Sequence, residues 1–455
     1  MARVAGVSID SRTVRPGELF VAIHGPRHDG HSFVAAALVA GASAAMVARG
    51  RLGEYDAAIR QKLFAVENTL GALQGLAQSV RRGWGKRVAG VTGSTGKTTT
   101  KEILAAVAGA GRRVVRSEGN LNNEYGVPLT LLRLEEEDEA AVVELGMSHR
   151  GEIARLCEIS EPELGVVTNV APVHLEFFGS VEEIAEAKRE LVEGLAGPEP
   201  VAVLNADDER VARFGEKFRG RVLTFGLKNQ AAAYRAENVA LNGAEGAEFD
   251  YVAPGERVRM KLALPGRHNV SNALAALAAA SAWGVRAEEA RAPLASVAPA
   301  AMRGQFTKFA AGFAVINDCY NSNPVALARM AELLAATPAR RRILAAGAML
   351  ELGAKSGELH RAAGRHAAGQ KPDFIFGVSG DAKELLAGAI EAGHPAAKTR
   401  FFETSGEAGA ALAEFVREGD VLLVKGSRGV KMEKIIEALE ARHGTAAQAN
   451  GAGRG

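Results

Sequence analysis

Cysteine is almost missing from this chain. Its 455 residues include two, Cys157 and Cys319, too few for a disulfide framework and suited to a reducing compartment. Net charge is nearly missing as well. Lys and Arg number 55 against 53 Asp and Glu, leaving +2, so no global field recruits nucleic acid or an anionic membrane. Long apolar runs are absent too. The alanine-rich stretch ALAALAAASAW at 273–283 falls well short of the ~20 residues a membrane-spanning helix needs. The start, MARVAGVSIDSR, lacks the basic-then-apolar order of a signal peptide. These absences predict a cytoplasmic protein with no membrane span and no nucleic-acid partner. What remains is ordinary for a globular chain: 47% hydrophobic and 24% charged residues, with no long internal repeat.

At ~150 residues per domain, the length suggests about three, and the pattern divides that way. In residues 1–85 short apolar runs (LFVAI, AAMVA, LFAV) alternate with alanine-rich helical stretches. Residues 86–302 carry a stronger alternation. VAGVTG, AAVVELG, LGVVTN and VAVLN read as buried parallel strands ending in polar residues, separated by helical patterns. That predicts a central doubly wound, mostly parallel sheet, with a polar β excursion over 228–262 before a helix near Asn269. Residues 303–443 repeat the alternation through FAVIND, RILAAG, DFIFG and DVLLVKG, a smaller α/β domain. The tail 444–455, GTAAQANGAGRG, is expected to be disordered.

The chemistry begins at GVTGSTGKTTTKEIL, residues 90–104. A strand precedes it and a helix follows, the setting in which a glycine-rich loop offers backbone N–H groups to phosphate. Lys97 would neutralise β- and γ-phosphates, and the Thr98 hydroxyl would face Mg²⁺. The match to G-x-x-x-x-G-K-[ST] is imperfect, because Val91 occupies the first glycine slot and Gly90 and Gly93 flank it. An ATP or GTP site is predicted. Ligands of open α/β sheets sit beyond the carboxyl ends of the strands. Glu144 ends one such strand, Thr168 and Asn169 end another, and His174 follows in the next loop. Glu144 and His174 are either part of a Mg²⁺ shell or a strand-end surface group and a hydrogen-bonded loop residue. Asp318, in VINDCYNSNP, is either functional or part of a polar turn. Asn269, in GRHNVSNALAA, is either functional or a helix cap; Asn272, three residues into the helix, is harder to explain by capping.

One lysine is out of place. In EEIAEAKRELVEGL, residues 182–195, helical winding puts Ile184, Leu191, Val192 and Leu195 on one stripe with Lys188 in its middle. Either its stem lies on the core while the charge reaches water, or the ammonium serves a purpose.

Taken in order, GSTGKTT, GNLNNEYGVPLT, ELGMSHRGEI, TNVAPVHLEFFGS, the lysine of EAKRE, GRHNVSNALAA, DCYNSNP, MLELG and VKGSRG resemble the motifs of the Mur ligases, which build the peptidoglycan stem peptide. The resemblance reaches to about residue 440, and YNSNP with MLELG looks like the member that adds a dipeptide. It implies an N-terminal UDP-binding domain, a central P-loop ATPase domain and a C-terminal Rossmann-like domain. It implies that ATP phosphorylates the free carboxylate of UDP-MurNAc-tripeptide and that D-Ala-D-Ala attacks the acyl phosphate. It also implies residues. Gly93, Ser94, Thr95, Gly96, Lys97, Thr98 and Thr99, with Asn269, Asn272, Arg303 and Asp318, would hold ATP. Thr98, Glu144, His174 and a Lys188 carbamylated by CO₂ would hold Mg²⁺, with Lys97, Lys188 and His174 catalytic. Ser11, Arg12, Asp29, Gly30 and His31 would meet the UDP substrate, and Lys425, Ser427 and Arg428 would face the substrates from the C-terminal domain. A monomer is expected.

Two positions depart from the family pattern: Ala348 stands where an acid is common, and Cys319 where a polar residue is. A diaminopimelate- or lysine-adding member of the family is the near alternative, and the absence of an Asp-Asn-Pro-Arg motif counts against the diaminopimelate-adding form. A folylpolyglutamate synthase fits poorly with the long N-terminal domain. A P-loop regulatory ATPase, hydrolysing nucleotide without making a bond, is the alternative from a different class.

Overall fold

The computed structural model describes residues 4–25, 28–173 and 175–446. His174 therefore lies outside the described residues, as does the tail beyond 446.

Three sheets follow one another along the chain. The first has four parallel strands, Val7–Ser8, Leu19–Val21, Ala44–Ala48 and Leu63–Val66, side by side in chain order. Helix Thr69–Trp84 leads out of it, capped by the Asn68 side chain and ended by Gly85 at φ 69°. Its Leu73 packs with Leu19, Val21 and Met46 of that sheet. Its Arg81 donates to the carbonyls of Ser160 and Glu161 in the next domain, so one helix joins both bodies.

The central sheet has nine strands. Arg87–Thr92 lies in its interior, flanked by Ala140–Glu144 and Leu164–Val167, with Val114–Arg116 outside the former. Beyond Leu164–Val167 come Val201–Asn205, Arg221–Gly226, Tyr234–Leu241, Ala247–Ala253 and Glu256–Leu262. The last three are joined antiparallel, and every other pairing is parallel. Helices cover both faces. On one, Lys97–Ala108 and the alanine-rich Arg267–Ala282 share a core with Val91, Val142 and Val166. On the other, Glu152–Ser160 and Val181–Glu193 pack on Val88, Val143 and Val167. The predicted β excursion is the antiparallel extension, and its helix begins at Arg267.

The C-terminal sheet opens with an antiparallel hairpin, Gln305–Lys308 and Ala314–Asp318, then continues parallel through Asp420–Lys425, Arg341–Gly347, Phe374–Val378 and Thr399–Phe402. The start of the expected tail is tied down. Gly444 accepts a hydrogen bond from Ala310 N, and Thr445 bridges to Phe309. Among the described residues no helix is long and apolar enough to cross a membrane.

Chain connectivity reverses around Arg87–Thr92: the chain moves to one side for its next two strands and to the other for those after. The crevice at such a reversal is where an open α/β sheet binds ligand.

Candidate active site

The strand Arg87–Thr92 ends in the loop 93–96, which runs into helix Lys97–Ala108. Two glycines make the turn possible. Gly93 has φ 145° and Gly96 φ 84°; a Cβ at the first would collide with Thr168 Oγ1, and at the second with Asn272 Oδ1. Neighbouring strand ends brace the loop. Thr95 N donates to Asn169 Oδ1 at 3.0 Å, Asn169 Nδ2 to Thr95 O at 3.0 Å, and Thr168 Oγ1 to Thr95 O at 2.6 Å. The backbone N–H groups opening the helix are thereby held in place for an anion.

Lys97 bends back to donate from Nζ to Gly93 O at 2.7 Å. Burial lowers its pKa, Glu144 opposes that, and Arg303 reinforces it. Glu144 closes the adjacent strand, buried, with Oε1 accepting from Asn122 Nδ2 at 2.8 Å. Its Oε2 is buried with no hydrogen-bond partner among the described residues. A buried carboxylate oxygen left unpaired costs about 1–3 kcal/mol or more. In the cavity that Thr98 and the phosphate loop also line, it suits a hard divalent cation, which takes oxygen ligands. No group of three or more His, Cys, Asp or Glu able to hold a metal occurs among the described residues, so a cation here would complete its shell from other donors.

Lys188 is buried as the helical pattern marked it, at 2% exposure among Ile184, Leu191 and Val192. The charge does not reach bulk water, which removes the snorkelling reading. Burial lowers its pKa well below that of an ordinary lysine; the Lys97 charge adds to this, and no described carboxylate opposes it.

Across a cavity of about 380 Å³ the C-terminal domain supplies the facing wall. Ser94, Thr95, Gly96, Lys97, Thr98, Thr99, Glu144, Asn269, Asn272, Arg303, Asp318 and Lys425 all line it. Arg303 lies 4.1 Å over the Tyr320 ring. Lys425 Nζ donates to Asp318 Oδ2 at 2.5 Å and to Asn321 O at 2.8 Å, so these two nominated residues neutralise each other. Asn269 is not a cap that receives a helix N–H. Its Nδ2 donates back to Pro265 O at 2.8 Å, and its Oδ1 accepts from Asn272 Nδ2 at 3.0 Å.

Other nominated residues lie off the cavity wall. Ser427 is buried and ties loops together, donating to Ser322 O at 3.3 Å and accepting from Leu350 N at 2.9 Å. Arg428 is exposed and paired with Glu433 at 3.0 Å. In the N-terminal domain Arg12 pairs with Asp10 at 2.6 Å, next to Ser11. His31 is buried with both ring nitrogens engaged, Nδ1 with Asp29 Oδ1 at 2.7 Å and Nε2 accepting from Ala48 N at 3.0 Å. Gly30 permits the chain to pass Ile23, whose backbone a Cβ would strike. Asp29, bonded to Arg51 and His31, is held far below the usual carboxylate range.

Several wall residues escaped the sequence reading: Asn122, His268, Tyr320 and Arg329. Burial pushes His268 down to about 3, with the Arg329 and Lys425 charges adding, so its imidazole is neutral. Asn122, His268 and Tyr320 stand inside quoted motifs and could have been singled out there. Arg329 had no local signal.

The chain matches three family descriptions in succession: "Mur ligase family, catalytic domain" over residues 3–81, "Mur ligase middle domain" over 91–280, and "Mur ligase, glutamate ligase domain" over 302–428. It is 34% identical over 437 residues to the UDP-N-acetylmuramoyl-tripeptide–D-alanyl-D-alanine ligase of Bacillus subtilis (strain 168), covering 96% of this chain and 93% of that protein. Among solved structures it resembles a MurF from Acinetobacter baumannii, with TM-score 0.86, 31% identity and coverage of 96% and 94%. It also resembles the Thermotoga maritima MurF ligase in complex with ADP, with TM-score 0.81, 30% identity and coverage of 96% and 97%.

Proposed function

The chain belongs to the Mur ligase family, and from that premise we propose how its site works. The protein is an ATP-dependent peptide ligase that adds D-Ala-D-Ala to UDP-MurNAc-tripeptide in peptidoglycan synthesis. The observation that carries this reading is the cavity itself. A phosphate loop and a buried, half-satisfied carboxylate on the central domain face Arg303 and the Asp318–Lys425 pair from the C-terminal domain.

A carboxylate is a poor electrophile because oxide is a poor leaving group. An oxygen of the tripeptide's terminal carboxylate attacks the γ-phosphorus, the bond to the ADP oxygen breaks, and an acyl phosphate forms. The deprotonated amine of D-Ala-D-Ala adds to the carbonyl carbon, and the tetrahedral intermediate expels inorganic phosphate, leaving the amide. Two anions must meet in the first step, so positive charge is needed where they meet. Lys97 supplies it from the loop and Arg303 from across the cavity. Phosphoryl transfer is mainly a matter of position and electrostatics, and the braced loop provides the position.

The orphaned Glu144 oxygen and the Thr98 hydroxyl fit Mg²⁺, which would supply charge neutralisation of the phosphates when bound. His174 belongs to this proposed shell by resemblance. For Lys188 we propose the carbamate: the neutral amine attacks CO₂ and loses a proton, giving an anionic two-oxygen ligand. Burying an unpaired ammonium costs several kcal/mol, and no described carboxylate offsets it here.

Residues 1–85 would receive the UDP end through Ser11, Arg12 and the Asp29–His31 segment, with His31 and Gly30 shaping that segment. Residues 86–302 would hold ATP, Asn269 and Asn272 on its adenine side. Residues 303–443 would bring D-Ala-D-Ala, Lys425, Ser427 and Arg428 lying on that side. Closing the three bodies would exclude water from the acyl phosphate. One chain furnishes every residue named, in keeping with a monomer in a cytoplasmic pathway.

Phosphate release should require both UDP-MurNAc-tripeptide and D-Ala-D-Ala, with an amide product of the summed mass less water. Release that ignores both substrates would point to a regulatory ATPase and overturn the ligase reading.

A further inference from the structure

Arg329 lies on helix Pro324–Ala336 of the C-terminal domain. Its Nη1 reaches back 234 positions to donate to Thr95 Oγ1, inside the phosphate loop, at 3.0 Å. It is partly buried on the cavity wall, and burial lowers its pKa while the nearby Glu332 charge opposes this. It forms no ion pair with any described carboxylate. The acid one turn along, Glu332, is paired with His366 at 3.5 Å.

That is an odd way to join two domains. A threonine hydroxyl needs only a neutral partner, and withdrawing a guanidinium from water for it carries a larger desolvation cost than a neutral glutamine would. A guanidinium presents five N–H donors in a planar fork, and here a single one is occupied among the described residues. The chemistry that uses such a fork is a phosphate or carboxylate anion, and the wall opposite is a loop built for phosphate.

We propose that Arg329 is a phosphate-binding residue which the C-terminal domain delivers to the nucleotide. Thr95 positions the guanidinium, and the remaining N–H groups donate to non-bridging oxygens of the polyphosphate chain. Nucleotide binding and docking of the C-terminal domain on the phosphate loop are then thermodynamically linked, each favouring the other. This rests on the reading that adenine nucleotide occupies the phosphate loop.

The test is binding rather than turnover. Fluorescent ADP is titrated onto the full-length protein and onto Arg329→Gln, Arg329→Lys and Arg329→Ala, with ADP and adenosine as competitors and circular dichroism melts to verify folding. Gln keeps a donor for Thr95 and loses the charge, so it decides the matter even where Ala fails to fold. ADP affinity is expected to fall about tenfold or more in Arg329→Gln, with partial recovery in Arg329→Lys and adenosine competing equally well throughout. Unchanged ADP affinity in folded Arg329→Gln overturns the proposal. So does an equal loss for adenosine, which would make the side chain a wall of the nucleoside pocket. A wild-type protein that does not bind ADP at all would instead bring down the nucleotide-site reading itself.

Discussion

The pair between Asp318 and Lys425 offers a prediction whose size follows from burial. The Lys425 side chain is 3% exposed and Asp318 14%, with 2.5 Å between Nζ and Oδ2. The two residues end neighbouring parallel strands in matched register. Asp318→Asn leaves a buried ammonium with neutral acceptors, Asn321 O and the new amide oxygen, and no counter-charge, and breaking such a pair from one side costs about 3–5 kcal/mol. Lys425→Met leaves a carboxylate that water reaches more easily, at about 1–3 kcal/mol. The double substitution leaves two neutral groups of similar shape, so it should be less destabilised than Asp318→Asn alone. The expected coupling energy is about 2–3 kcal/mol. A chain of several domains need not unfold in one step. The assay is therefore native-state hydrogen exchange in strands Ala314–Asp318 and Asp420–Lys425, which reports that sheet alone. Single effects that sum to the double within about 0.5 kcal/mol would refute the claim that the lysine is held there to neutralise the aspartate.

Two further outcomes are expected. Lys188→Ala should lower ligase turnover by at least about 10²-fold without recovery in bicarbonate, while ADP binding survives; near-normal turnover would sink the carbamate. For His268 the sign follows from its depressed pKa of about 3 against an ordinary 6.5. The unfolded chain takes up the proton first, so this residue costs stability as pH falls below 6.5, the loss growing until about 3. Melts of the wild type and His268→Gln between pH 8 and pH 4 (bounds chosen roughly to bracket ordinary histidine titration) should show a shallower decline in the variant. Parallel declines would count against a histidine held neutral by the fold.

Much of the central architecture was legible because its strands are unbroken apolar runs closed by polar residues. VAGVTG, AAVVELG and LGVVTN became three adjacent strands. Two short strands were not legible: Val114–Arg116 (VVR) and Thr399–Phe402 (TRFF) each carry an arginine in place of an unbroken apolar run, so nothing sets them apart from their surroundings. The loop lysine and Glu144 were readable from strand-end position. Lys188 was readable as an anomaly, since a cation in an apolar stripe breaks the pattern that its neighbours set. The Asp318–Lys425 pair was not, because no local pattern links residues 107 positions apart. The nominated Lys425 accordingly turned out to be engaged within the protein.

Sequence alone determined the order of the α/β units, the phosphate loop with its helix, and the membership of the family. Those features are written in local periodicity and in contiguous motifs, where each residue's chemistry is set by near neighbours. Tertiary structure decided which side chains are free to act. Glu144 Oε2 has no hydrogen-bond partner among the described residues, His31 has both nitrogens occupied, and Arg329 meets the phosphate loop from another domain. Whether a polar group is spent or available depends on what the fold packs against it, and that is settled by contacts between segments far apart in the chain.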